Sequence, residues 1–560
     1  MITRHRFFTS LALTAFVTSA FAQVEWMPWG EAALARAQAT AKPLYLSVGD
    51  PLNELTGAME TQTFSNAEIA GILNENFVCV RVERDEVPGL AAFGQQWLAA
   101  EQKLPGWPLN LWLTPDQLPI EAASYLPPTE EWGREGFMVV VNRVIEKWSA
   151  GPEPVSRSAS RTLEDISYYL PLPAAPVDDM RAALTMATED WVALADPATG
   201  TFGDPPHNLE PELLRFLIQT GGEAREVALN ALRKRLASAV RDPIDGGFYR
   251  GTVDVQARIP LFQKRLTDQA RIALACLDAA AVSDDPIFAA GATSALDYAL
   301  AHLSSGDGTF TLGDDATPAA LTKLQSWSYD ELAALVGRDA ADLLGAVESG
   351  NVDAAEDLDG SHAGRNILHA SPLDTQSRSF FDLRTKVLLA RAERAQTINP
   401  TWATAAAHGL MLHALNRATL ELNNLDYGAA AVATIAALKR DFAAGTEFFS
   451  RIANADVPPT PEDYLLVALG LGDTALAAKA DSLFYDEENA LYFATTAETF
   501  GVRPYWWNPT ATELPAPAVW RLFLPDPPSG LAAEVAAPFE NPDTPPPGAI
   551  LLGLTATGKP

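Results

Sequence analysis

The side chains that could do chemistry are unevenly stocked in this chain: two cysteines, seven histidines and 71 carboxylates among 560 residues. Thiol exchange needs a thiolate that attacks a disulfide and, in the dithiol cycle, a second thiol that resolves the intermediate. Cys79 lies in the apolar run 77–82 and Cys276 in an alanine-rich helical stretch, so each reads as a small buried hydrophobe and no bridge between them is expected. Acid and base work would fall to carboxylates such as Asp245, Asp254, Asp268, Asp315 and the Glu462, Asp463 pair. His369 and His408 are isolated and without metal-ligand spacing, so no metal site is expected. Tyr249, Trp327 and Trp402 have rings that could stack on a sugar or simply fill a core. Neither G-x-x-x-x-G-K-[ST] nor G-x-G-x-x-G after a strand occurs, and no cofactor is expected.

These groups must be held by more than one core, because 560 residues exceed what a single core usually serves. A formal charge of -31 repels phosphate, which argues against nucleic acid as a partner. Residues 1–22 combine Arg4 and Arg6 with an apolar run and a small-x-small ending, the pattern of a secretory signal cleaved before Gln23. The run is shorter than the ~20 residues of a membrane-spanning helix. A secreted or periplasmic protein with no membrane anchor after cleavage is the expectation.

From Trp26 onward helices alternate with strands. Helices are expected over 28–41 and 90–102, and strands over 43–48, 77–82, 109–113 and 120–124. Ser65 with Glu68 forms a capping box for a further helix presenting Ile69, Ile72 and Leu73. Such alternation implies a sheet covered by helices. Residues 135–170 read as helix broken at Gly151, Pro152 and Pro154, and the proline-rich 171–176 ends the region. The expected division is a signal peptide 1–22, an α/β domain 23–150, a helical and proline-rich linker 151–176 and a helical domain 177–560. Within the last, DPATGTF (196–202) and DPIDGGF (242–248) recur at an offset of 46, with looser echoes at 306–310 and 486–493. Helix pairs joined by a recurring loop at that spacing suit a ring of helical hairpins.

The blocks EWMPWGEAALARAQATAKPLYLSVG, FSNAEIAGILNENFVCVRVERDE, GWPLNLWLTPD and SYLPP, in that order, resemble the spermatogenesis-associated protein 20-like family. The helical blocks RDPIDGGFYRGTVDVQARIPLFQKRLTDQA, SWSYDELAALVG, GRNILH, HGLM and PEDYLLVAL continue the resemblance. It implies an α/β thioredoxin-like domain followed by an all-α (α/α)6 toroid of the six-hairpin glycosidase or sugar epimerase type. It also implies that Pro108 is the cis-proline facing the redox site; the candidates for a toroid cleft are Tyr249, Gln263, Asp268, Trp327, His369 and His408.

This chain departs from the family at both sites. The family places Cys-His-Trp-Cys-His where SVGDPLNELTGAM has Asn53 to Gly57, so the two thiols are replaced by Asn53 and Thr56. In the toroid, the family's P-H-F-E-K is here Pro260, Leu261, Phe262, Gln263 and Lys264. Its E-D-A-D is here 314–317, DDAT, and its Asp-Asp-Lys and Trp-Asn are replaced by 400–402 and by Ala407 with His408. Asp268, whose following Gln-Ala is retained, and Asp315 are the remaining catalytic candidates. The reading is an exported binding protein for peptide or glycan without catalysis or thiol redox activity. The alternatives are a carbohydrate-active enzyme working through toroid carboxylates and, opposed most strongly by the chemistry, a thiol oxidoreductase.

Overall fold

The computed structural model describes residues 23–131, 133–169, 179–313, 325–353, 355–357, 362–394, 403–444, 448–506, 517–528, 531 and 548–556. Strands β1 (Leu44–Gly49), β2 (Val78–Glu83), β3 (Leu109–Leu113) and β4 (Pro119–Ala123) form one sheet in the order β2-β1-β3-β4. The β1/β2 pair is parallel and the other pairs are antiparallel. Helices α1 (Glu31–Thr40), α2 (Glu54–Ala58), α3 (Ala67–Asn76), α4 (Pro88–Ala100) and α5 (Phe137–Ser149) complete a thioredoxin-like domain.

Strand alternation divides the core. Leu44, Leu46, Val48, Val78, Val80 and Val82 pack with α1 and α4 on one face. Tyr45, Cys79 and Trp112 pack with α3 and α5 on the other. The side chain that caps α3 belongs to Asn66, which accepts from Glu68 N and Ile69 N; Ser65, the residue expected there, instead donates to Thr61 O. The segment expected as linker contains helix α6 (Pro152–Tyr168), which packs on α4 and β4 and buries Ile166 in the sheet's core. Its proline-rich continuation lies outside the described residues.

Helices α7 (Met180–Ala193), α8 (Pro211–Thr220), α9 (Gly222–Ala237), α10 (Leu266–Val282) and α11 (Pro286–Tyr298) begin the toroid. A side module of α12 (Tyr329–Val336), α13 (Arg338–Leu343) and α14 (Arg378–Arg394) has its own core. The toroid resumes with α15 (Ala405–Glu421), α16 (Leu425–Ala437), α17 (Pro461–Leu471), α18 (Thr474–Phe484), α19 (Pro517–Leu522) and α20 (Gly548–Ala556). The sequence of contacts α8, α10, α15, α17, α19, α20 and back to α8 closes the ring. Gly409 and Gly470 let α15 and α17 meet closely, since a β-carbon at either would lie 2.4 Å from the facing backbone.

The recurring loops share one geometry. Asp196, Asp242, Asp307 and Asp486 each accept from the backbone N–H two residues on, at 2.8–3.0 Å. Bridges Ala195 to Phe202, Arg241 to Phe248 and Ser304 to Phe310 close the first three.

The domains are packed together by the returning chain at 495–505. Val502 enters the thioredoxin-like core, and Phe500 meets Phe93 edge-on with centroids 5.0 Å apart. Tyr505 N donates to Gln96 Oε1 at 3.0 Å. Truncating Phe500→Ala is expected to cost about 2 kcal/mol, measured by denaturant unfolding and with the loss read out by near-UV circular dichroism.

Candidate functional site

The loop that leaves β1 carries the residues where paired thiols would sit. Asn53 has extended backbone angles and caps α2: its Oδ1 accepts from Leu55 N at 3.0 Å and Thr56 N at 3.3 Å. The helix N-terminus that would acidify a thiol is thus satisfied by an amide. Thr56 is buried and its hydroxyl accepts from Asp50 N at 3.3 Å. The Trp107–Pro108 peptide is cis, as the resemblance implied.

Cys79 cannot stand in for the missing thiols. It pairs with Tyr45 near the start of β2, whereas the loop departs opposite Glu83, four residues on, roughly 13 Å at strand rise. It is buried, and burial, with a smaller contribution from Glu25, pushes its thiol up to about 12. Cys276 is likewise free and buried in α10.

The same loop faces the toroid. Asp50 is fully buried and receives Leu52 N at 2.9 Å, Arg84 Nη1 at 3.5 Å and, from the toroid, Arg265 Nη2 at 3.2 Å. Arg265 also donates to Leu52 O at 3.0 Å. Burial raises the Asp50 carboxyl, but Arg265 and Arg84 outweigh it and hold the group well below the usual carboxylate range. On the adjacent strand end, Asp85 accepts from Arg451 Nη2 at 2.6 Å. Arg451 Nη1 reaches Asp463 Oδ2 at 3.0 Å and Thr460 Oγ1 at 2.8 Å. The thioredoxin-like domain therefore sits on the ends of α10 and α17 where those helices begin, which we call the toroid mouth.

Two carboxyls at that mouth are incompletely satisfied. Asp268, in the first turn of α10, accepts from Arg271 Nη1 at 3.3 Å through Oδ1, while its buried Oδ2 has no hydrogen-bond partner among the described residues. Burial raises it against the opposing fields of Arg271, Arg265 and Arg250. Glu462, in the first turn of α17, is buried with Oε1 equally unpartnered. Burial, opposed by Arg451 and reinforced by Asp463 and Asp85, lifts it to about 8. At about 8 Glu462 favours the un-ionised form, which carries a donor and an acceptor together.

The other cleft candidates do not join them. Tyr249 is buried and donates to Asp242 Oδ2 at 3.1 Å. That carboxylate also binds Lys264 Nζ at 2.9 Å and Arg391 Nη1 at 2.7 Å. Trp327 belongs to the side module's core beneath Arg394, 3.6 Å from its ring centroid. His408 is locked: Nδ1 bonds Thr404 O at 2.8 Å, Nε2 accepts from Phe310 N at 2.9 Å, and burial holds it near 4. His369 lines a separate groove of about 640 Å3 with Arg258, Asn351 and Asp353. Gln263 is buried and its carbonyl accepts from Arg250 N at 3.0 Å. Asp254 serves its own loop by accepting from Arg258 N and Ile259 N, and Asp245 pairs with Arg391. Asp315 and Trp402, with 314–317 and 400–402, lie outside the described residues.

The role of Asp50 was missed in sequence because an aspartate before a proline reads as a turn residue. Its partner Arg265 stands 215 residues away. Glu462 was visible only as one of many carboxylates.

A thioredoxin family model of the DsbH type, described as "Protein of unknown function, DUF255", matches residues 13–167. Spermatogenesis-associated protein 20 of Mus musculus is 28% identical over 549 residues, covering 86% of this chain and 70% of that protein. Among solved structures, cellobiose 2-epimerase from Bacillus thermoamylovorans is matched at 10% identity with a TM-score of 0.20, over 50% of this chain and 94% of that one. D-mannose isomerase is matched at 10% identity with a TM-score of 0.23, over 66% and 100%.

Proposed function

We propose, for a chain that belongs to the spermatogenesis-associated protein 20-like family as a member without the Cys-x-x-Cys pair, that it is an exported protein with no thiol-disulfide activity which binds a ligand at the toroid mouth without turning it over. The observation that carries the first half is Asn53 capping α2 in place of a nucleophile, with Asp50 beside it buried against Arg265. A face spent on an internal interface is closed to a peptide substrate. That tilts the choice of ligand from a peptide toward a glycan. Asp268 and Glu462 support the second half: two buried carboxyls, each with an oxygen that no described residue hydrogen-bonds, leave polar capacity of the kind that sugar hydroxyls satisfy.

A second reading, a carbohydrate-active enzyme, is favoured by Glu462 alone. A carboxyl lifted to about 8 carries its proton at neutral pH, as a general acid must. One experiment separates all three outcomes. Purified protein is expected to leave insulin disulfides unreduced, and to bind oligosaccharides of glucose or N-acetylglucosamine in calorimetry with no product released. Reduction lost in Cys79→Ser would restore the redox reading; product release lost in Asp268→Asn would establish the enzyme.

A further inference from the structure

The ends of β1 and β2 lie side by side, and each grips a different toroid helix. Asp50, just past β1, holds Arg265, the residue that precedes α10. Asp85, just past β2, holds Arg451, which in turn holds Asp463 in the first turn of α17. Arg84 joins the two grips, lying 3.5 Å from Asp50 and 3.7 Å from Asp85.

Each grip is one helical turn or less from a mouth carboxyl with an oxygen unpartnered among the described residues. Arg265 is three residues before Asp268, and its carbonyl accepts from Gln269 N in the same first turn. Asp463 adjoins Glu462 and closes its own helix by accepting from Thr460 N at 2.8 Å and by receiving Ala406 N of α15 at 3.0 Å. An ion pair at a helix start restrains its rotation and fraying, so the partner helps set the direction of its first-turn side chains.

We propose that Asp50 and Asp85 are positioning residues through which the former redox face of the thioredoxin-like domain sets the relative placement of Asp268 and Glu462. The ligand they would address is the neutral oligosaccharide of the preceding reading, on which this inference rests. The edge that carries no thiols is the one that docks on the toroid, and the mouth is complete only with that edge in place.

The test uses the full chain and amide hydrogen exchange read by mass spectrometry, which needs no ligand. Asp50→Asn is expected to speed exchange in the first turn of α10, and Asp85→Asn in the first turn of α17, each by about tenfold or more and each with a smaller effect on the other turn, passed through Arg84. Asp85→Glu should restore the slow exchange. Because Asp50 is fully buried, its variant could fail to fold; Asp85, at 15% side-chain exposure, carries the test by itself. In parallel, Asp85→Asn should lower the pH at which the Glu462 carboxylic-acid infrared band disappears, a band identified by its loss in Glu462→Gln. Exchange that stays as in the wild type, or rises evenly over the whole chain, would overturn the proposal. Absence of oligosaccharide binding by the wild type with these local effects intact would overturn the ligand reading alone.

Discussion

Asp242→Ala is expected to be the most damaging single substitution in the toroid, lowering stability by about 4 kcal/mol. Asp242 is fully buried, and its Oδ2 receives Lys264 Nζ, Arg391 Nη1 and the Tyr249 hydroxyl. Burial alone would raise this carboxyl; Arg391 and Lys264 reverse that and hold it far below the ordinary range. Removing the anion leaves two cations in a site almost without water, the ammonium of Lys264 lying between the rings of Tyr298 and Tyr249 at 4.3 and 5.0 Å. Asp242 Oδ1 also accepts from Ile244 N, so the loop loses its turn as well. Thermal unfolding of Asp242→Ala should shift strongly downward, and adding Lys264→Met should recover part of the loss by removing one orphaned charge. If Asp242→Ala unfolded like the wild type, the charge cluster would not be holding the side module to the ring.

Glu462→Gln is expected to change how stability depends on pH. Folding lifts this carboxyl from its ordinary 4.5 to about 8, with burial the largest cause and Asp463 and Asp85 adding to it against Arg451 and Arg84. Below about pH 4.5 the group is protonated whether the chain is folded or not, and it costs nothing. Between 4.5 and 8 the unfolded chain loses the proton while the folded chain keeps it, so stability falls as pH rises. Each pH unit costs about 1.4 kcal/mol, for a total loss of up to about 5 kcal/mol that levels off above pH 8. Glutamine cannot ionise, so the variant should match the wild type near pH 4.5 and exceed it by several kcal/mol near pH 8.5 in urea titrations. Parallel curves would show that Glu462 has access to water when folded.

The loss of thiol chemistry was legible from residue types alone, because no fold can make Asn53 or Thr56 into a nucleophilic sulfur. The alternation of Leu44, Leu46 and Val48 likewise placed β1, since pleating leaves adjacent side chains on opposite sides, and the apolar run 77–82 marked Cys79 as a buried hydrophobe. The loop repeat announced a series of helical hairpins, because an aspartate that turns its own backbone acts over two or three residues. Tertiary structure decided what sequence spacing cannot encode. Asp50 became a buried anchor because Arg265 arrived from 215 residues away, and Asp268 and Glu462 were singled out because they were desolvated beside that junction while Trp327, His369 and His408 were packed elsewhere. Local patterning sets which elements form; the field and burial at a carboxyl are summed over everything folding brings near it.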